Sequence, residues 1–187
     1  KLRSIFTIQG AICRYFAECL HGLDFTEIKT PKLVGTGAEG GTGLFEVEYF
    51  ENKVYLAQSP QLYKQSMIST GMERVFEVAA AYRAEKHDTP RHLNEYISLD
   101  VEMAFIDSEV ELMNLEREIL AHIFEGIARE HQDILEMWGA TVPTRQQVMS
   151  YPVVAHEDAK KIVSERLGRR VFEINPEAER VITDWAL

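Results

Sequence analysis

Two short stretches hold the residue types that could handle an anionic substrate. One is Tyr82-Arg83-Ala84-Glu85, and the other is Glu95-Tyr96-Ile97-Ser98-Leu99-Asp100-Val101-Glu102. The segment between them, Lys86 to Asn94, carries Lys86, His87, Arg91 and His92. A cationic loop above an arginine suits a polyanion such as a triphosphate, because guanidinium forks match phosphate and carboxylate oxygens. Upstream, Gln61 and Lys64 are three apart, so a helix would put both on one face, and a lysine there could reach an anion. Polar residues alternating on a strand usually form a solvated sheet face, and a surface lysine is usually solvated. The pattern alone therefore leaves a binding reading and a purely structural reading both open.

The elements that must position these residues can be read from periodicity. Val75 to Tyr82 is β-prone and mostly apolar. Leu99, Val101, Met103 and Phe105 alternate with Ser98, Asp100, Glu102 and Ala104, which predicts a strand with one buried face. Pairing of the two as a hairpin would put Arg83, Glu85, several carboxylates and an aromatic ring on one surface. Arg3 to Leu20 has Ile5, Ile8, Ile12, Phe16 and Leu20 at helical spacing, with Gly22 as a stop signal. Phe25 to Ile28 predicts a short strand ended by Pro31. Lys53 to Ala57 predicts another, and Ser59-Pro60 reads as a helix start with the proline at the first helical position.

Ser108-Glu109-Val110-Glu111 has the capping-box pattern, opening a helix with Leu112, Leu115, Ile119, Ile123 and Ile127 on its apolar side. Asp133 to Ser150 is irregular and reads as a loop around Pro143. Glu157 to Leu167 predicts a helix stopped by Gly168, and Asn175-Pro176-Glu177 starts a last one. Five of the eleven glycines, Gly35, Gly37, Gly40, Gly41 and Gly43, cluster in one segment that lacks the GK[ST] ending of a P-loop. It reads as a lid or a connector.

Bulk properties bound the class. At 187 residues with 45% hydrophobic content, the chain can fold around a core as one domain. No run approaches membrane-spanning length and no signal-peptide pattern opens the chain, so no membrane partner is expected. Cys13 and Cys19 are poorly placed to bridge each other and form no CxxC pair, which fits a reduced, cytoplasmic compartment. The six histidines show no metal-ligand spacing. A formal net charge of −10 is a poor footprint for a module that grips nucleic acid alone.

A resemblance sharpens these readings. Arg83-Ala84-Glu85, Arg91-His92-Leu93-Asn94-Glu95-Tyr96 and Asp100 to Phe105 together resemble motif 2 (about 75–105) of class II aminoacyl-tRNA synthetases. The likeness is to the subgroup for aspartate, asparagine and lysine. Leu2-Arg3-Ser4 through Pro31 resembles motif 1 (about 2–31), which forms a dimer interface in that family. Gln58 to Gln65 resembles the aspartyl enzymes of archaeal and eukaryotic type, and Ala38-Glu39-Gly40-Gly41 resembles their mobile substrate loop. The resemblance runs from about residue 2 to residue 130. It implies an α+β fold, an antiparallel β-sheet flanked by helices, with residues 1–187 as the N-terminal part of a catalytic domain. Motif 3 and the expected magnesium ligands would then lie beyond Leu187, and the resemblance includes no anticodon-binding domain.

The implied reaction is ATP-dependent activation of L-aspartate to aspartyl-adenylate and transfer to tRNA, with Mg2+ accompanying ATP. Carried over from the family, Arg83 binds the α-phosphate and the substrate carboxylate and is the catalytic residue. Glu85 accepts from the adenine amino group, Arg91 and His92 hold the outer phosphates, Leu93 lies beside the nucleotide and Tyr96 stacks on adenine. Asp100 and Gln61 bind the substrate ammonium, Lys64 pairs with its side-chain carboxylate, and Glu39 closes over the amino group. The asparaginyl enzymes of the family lack a lysine at this place. Three alternatives remain open: an asparaginyl-tRNA synthetase, a synthetase-like asparagine synthetase paralogue, and a binding or dimerisation module without turnover.

Overall fold

The computed structural model describes residues 1–37, 43–86 and 93–186. They form two compact units, Lys1–Pro143 and Thr144–Leu187, described in turn.

The first unit opens with α1 (Leu2–Gly22), which buries Ala11, Tyr15, Phe16, Cys19 and Leu20 along one side. Gly22 is the last residue of this helix rather than its stop. The chain turns at Leu23, and Asp24 takes a left-handed φ of 61°, a conformation that Asp tolerates better than most residues. β1 (Thr26–Glu27) follows, then β2 (Leu33–Val34), β3 (Glu46–Tyr49), β4 (Asn52–Leu56), α2 (Gln61–Ser69), β5 (Arg74–Tyr82) and β6 (Glu95–Met103). α3 (Glu109–Glu130) and α4 (Gln132–Trp138) complete the unit.

The fold is α+β, with two three-stranded sheets ordered β1-β5-β6 and β2-β4-β3. The hairpin read from the sequence forms. β5 and β6 pair antiparallel over their full length, with Phe76 opposite Val101, Glu77 opposite Asp100 and Ala79 opposite Ser98. β5 is the central strand, and β1 pairs with it in parallel, so this sheet is mixed rather than wholly antiparallel. The second sheet is antiparallel throughout. Its β2 and β3, at two and four residues, are too short to give a periodic signal.

Alternation sorts the β5–β6 sheet into two faces. Phe76, Val78, Leu99, Val101 and Met103 face a core built with α1 and α3, including Phe16, Leu20, Ile119, Ile123 and Ile127. Phe76 is fully buried, which stabilises by about 1.5–3 kcal/mol, and the other four strand side chains are partly buried. α2 packs on the opposite face. The alternation ends at Met103: Phe105 lies beyond the strand with φ 56° and is 85% exposed.

Other termini differ from the sequence reading for local reasons. α2 begins at Gln61, so Pro60 is the capping residue; the Ser59 hydroxyl accepts from the Gln61 N–H at 3.2 Å. The Ser108 side chain makes no cap hydrogen bond. Glu111 instead accepts from the Asp107 N–H at 2.7 Å, one residue further back than a capping box requires.

In the second unit, Thr144 and Gln147 form a complete capping box that starts α5 (Arg145–Met149). With α4, this replaces the loop expected over Asp133 to Ser150. α6 (His156–Leu167) ends at Gly168 in the left-handed conformation, as its glycine stop requires. α7 (Pro176–Ala186) starts where expected: Asn175 accepts from the Ala178 N–H at 2.9 Å.

α1 and α3 meet through one contact that only glycine permits. The Tyr15 ring lies on Gly126, and its hydroxyl donates to the Gly126 carbonyl at 3.0 Å. A Cβ at Gly126 would fall 2.5 Å from two ring carbons. Beside this contact Arg14 pairs with Glu130 at 2.6 Å, and Arg129 with Glu130 at 2.9 Å. The Tyr15 hydroxyl, Arg129 and Arg14 hold the Glu130 carboxyl down to about 2. Gly126→Ala is expected to destabilise the protein by about 1–3 kcal/mol through overpacking, although alanine favours a helix interior by about 1 kcal/mol. Urea unfolding of the two proteins measures the net sign.

Candidate active site

The face of the hairpin turned away from the core carries the residues singled out above. On β6 it presents Tyr96, Ser98, Asp100 and Glu102. On β5 it presents Val75, Glu77, Ala79 and Ala81, their register partners in reverse order. The pairs Ala79–Ser98 and Ala81–Tyr96 put the small side chains Ala79, Ala81 and Ser98 mid-floor, between the acidic end and Tyr96.

α2 lays Gln61 and Lys64 across the acidic end. The Lys64 side chain is only 4% exposed, so it is not a solvated surface lysine. Its ammonium lies 3.3 Å from Asp100 and 3.4 Å from Glu102, and donates to the Val101 carbonyl at 3.3 Å. Gln61 Nε2 donates to Glu102 at 3.1 Å. Ser98 donates a short hydrogen bond to Asp100. The structure places Lys64, Gln61 and Asp100, all singled out in the sequence, at this one end of the face. The sequence reading missed Glu102, whose one signal was its position two residues after Asp100 on the same strand face.

A fully buried carboxylate lies beside this cluster. Glu77, directly across from Asp100 and 1% exposed, accepts from the Thr30 N–H and hydroxyl, both at 2.7 Å, and pairs with Lys32 at 3.0 Å. It ties the segment around Pro31 to the central strand. Like charges directly opposite on paired strands repel; here Lys32 offsets Glu77, while Lys64, shared with Glu102, offsets Asp100.

Arg83 and Glu85 lie just past the end of β5, not within the strand. The Arg83 N–H donates to the Asn94 carbonyl at 3.0 Å, and the Glu85 N–H to the Asn94 side chain at 3.1 Å. These bonds extend the hairpin's grip beyond its ladder. The Arg83 guanidinium carbon lies 5.7 Å from the centroid of the Tyr96 ring, within cation–π range. Leu93 is exposed at the mouth of the hairpin. Glu39, Arg91 and His92 lie outside the described residues. Among the described residues no group of three His, Cys, Asp or Glu side chains could hold a metal ion.

This arrangement offers a cation beside an aromatic ring at one end and a buried cation framed by carboxylates at the other. The family model described as tRNA synthetases class II (D, K and N) matches residues 1–185. The chain belongs to this family. It is 49% identical over its whole length to the aspartate–tRNA(Asp/Asn) ligase of Thermus thermophilus, covering 44% of that protein. It is 38% identical to the aspartate–tRNA(Asp) ligase of Pyrococcus abyssi over 100% of this chain and 43% of the other. Among solved structures, it resembles the Pyrococcus horikoshii asparaginyl-tRNA synthetase complexed with asparaginyl-adenylate. That likeness has a TM-score of 0.87 at 28% identity and covers 98% of this chain and 42% of the other. The chain thus spans less than half the length of the relatives it matches. Class II synthetases use ATP as substrate.

Within this class II chain one glycine shapes the arginine end. Gly43 bridges Ala84, whose N–H donates to the Gly43 carbonyl at 2.9 Å. A Cβ at Gly43 would approach the Ala84 carbonyl oxygen to 2.8 Å. Gly43→Ala must therefore displace the backbone between Arg83 and Glu85. A distortion of about 1 kcal/mol corresponds to about fivefold in an equilibrium. Urea unfolding of Gly43→Ala should read a loss of stability of at least about this size.

Proposed function

We propose that this chain is the substrate-activating part of an aspartate–tRNA ligase. The observation that carries this reading is Lys64, a buried ammonium on the sheet face that also holds Asp100, Tyr96 and, just past β5, Arg83. A cation so poorly solvated selects an anionic side chain. A neutral amide brings no negative charge to replace what Lys64 gives up when Asp100 turns to the substrate ammonium. This favours aspartate over asparagine, despite the structural likeness to asparaginyl enzymes.

In this reading the substrate ammonium takes Asp100 and Gln61, its side-chain carboxylate takes Lys64, and Arg83 receives the reacting carboxylate with the α-phosphate. Attack of that carboxylate on the α-phosphorus brings two anions together and expels pyrophosphate. Positioning and electrostatic stabilisation by Arg83 then supply most of the rate, and no covalent enzyme intermediate is needed. Glu85 and Tyr96 hold adenine, with Leu93 at the edge of the nucleotide. Arg91 and His92 meet the outer phosphates, and Glu39 covers the amino group. Mg2+ enters with ATP as part of the substrate, and tRNA accepts the aspartyl group.

A homodimer through α1 and the β1–Pro31 segment is part of the same proposal. Leu2 and Phe6 on α1 are 76% and 71% exposed, and Ile5 is exposed beside them, an apolar patch suited to a second copy. Sedimentation of the full-length protein should give a dimer, and Phe6→Glu should shift it toward monomer. The free thiols of Cys13 and Cys19 support a reducing, cytoplasmic setting.

The decisive test is aspartate-dependent pyrophosphate exchange in the full-length protein. Truncating one member of a buried charge pair costs about 3–5 kcal/mol, and about 1.4 kcal/mol is tenfold. Lys64→Leu should therefore lower kcat/KM for aspartate at least about a hundredfold while ATP binding stays near the parent value. Arg83→Ala should depress kcat. An aspartate kcat/KM within a few-fold of the parent in Lys64→Leu would end the substrate assignment.

A further inference from the structure

Lys64 is already engaged before any substrate arrives. Its ammonium is divided between Asp100 at 3.3 Å and Glu102 at 3.4 Å. The two carboxylates have different prospects. Asp100 is required for the substrate ammonium in the reading above, so it must be released from Lys64 at least in part. Glu102 is tied to α2 twice, by Lys64 and by the Gln61 amide at 3.1 Å.

We propose that Glu102 is a positioning residue for the aspartate site, holding Lys64 and Gln61 against β6 so that Asp100 stays available to the substrate ammonium. Glu102 sits two residues beyond Asp100 on one strand face and opposite the fully buried Val75, at the edge of the sheet floor nearest α2. Gln61 and Lys64 lie on one face of α2, and Glu102 is the single carboxylate that the described contacts link to both. Without it, Asp100 is the remaining carboxylate within reach of the Lys64 ammonium. A poorly solvated cation then closes on Asp100, and the two groups needed separately by the substrate satisfy each other instead. Gln61 also loses the acceptor that orients its amide.

This inference rests on the aspartate-site reading, and its test separates the two. Pyrophosphate exchange is measured in the full-length parent, Glu102→Ala and Glu102→Gln, with aspartate and ATP varied in turn. Loss of a hydrogen-bonded charged partner predicts an aspartate KM raised about tenfold or more in Glu102→Ala, with the ATP KM within about twofold. Glu102→Gln keeps an acceptor for Gln61 but not the charge facing Lys64, so its aspartate KM should fall between the other two. In a Gln61→Ala background, Glu102→Ala should add less than it does alone, because both act through one network. Should the alanine variant not fold, the isosteric Glu102→Gln carries the same KM comparison. A parent with no aspartate-dependent exchange would overturn the site reading and this inference with it. An active parent whose variants keep the aspartate KM within twofold, or raise both KM values together, would overturn the role of Glu102 alone.

Discussion

The constraint on which the site depends is the burial of one ammonium group. Lys64 is closed off from water by α2 above and the β5–β6 floor below, and a charge so placed is tolerable only with partners at hydrogen-bonding range. Those partners come from one strand, Asp100 and Glu102, with the Val101 carbonyl between them. The register of β6 is therefore fixed twice. A slip by one residue would turn Leu99 and Val101 out of the core and take both carboxylates away from Lys64. The hydrophobic face and the charged face of one strand enforce the same pairing.

The opposite strand repeats the solution. Glu77, itself buried, lies across from the half-buried Asp100, and two carboxylates so close would destabilise the hairpin if left alone. Lys32 and the Thr30 backbone neutralise one from the β1 side, while Lys64 neutralises the other from α2. The floor is thus an alternating arrangement of charge assembled from four separate elements. Behind it, the close seat of Tyr15 on Gly126 sets the separation of α1 and α3, and these helices carry the apolar layer beneath the hairpin.

The parts legible in the sequence were those whose causes are local. Alternation over Ser98 to Met103 revealed β6, and the three-residue spacing of Gln61 and Lys64 correctly put them on one helix face. The burial of Lys64 was not legible, because its partners lie more than thirty residues away and nothing beside it in the chain distinguishes it from a surface lysine. Glu77 was hidden for the same reason: its partner Thr30 is 47 residues distant. The Thr144–Gln147 capping box was readable and overlooked beside Pro143, whereas the Ser108 pattern was present in sequence but unused, because Glu111 found the Asp107 amide instead. Local signals name possible hydrogen bonds; tertiary packing decides which of them form.

Under the proposed aspartate reading, the same geometry gives a way for discrimination between an acid and its amide to arise from a site that is already ion-paired. A bare buried cation would bind any anion tightly and would cost folding stability while empty. Shared between two carboxylates, Lys64 is tolerable without substrate, yet it remains a donor whose best added partner is another negative oxygen. An amide oxygen at that place brings no charge, so the contacts disturbed at Lys64 are not replaced in kind. In that reading the difference between acid and amide would be set by how rigidly Lys64 and Asp100 are kept apart, which would make specificity a property of the strand–helix framework as much as of the lysine itself.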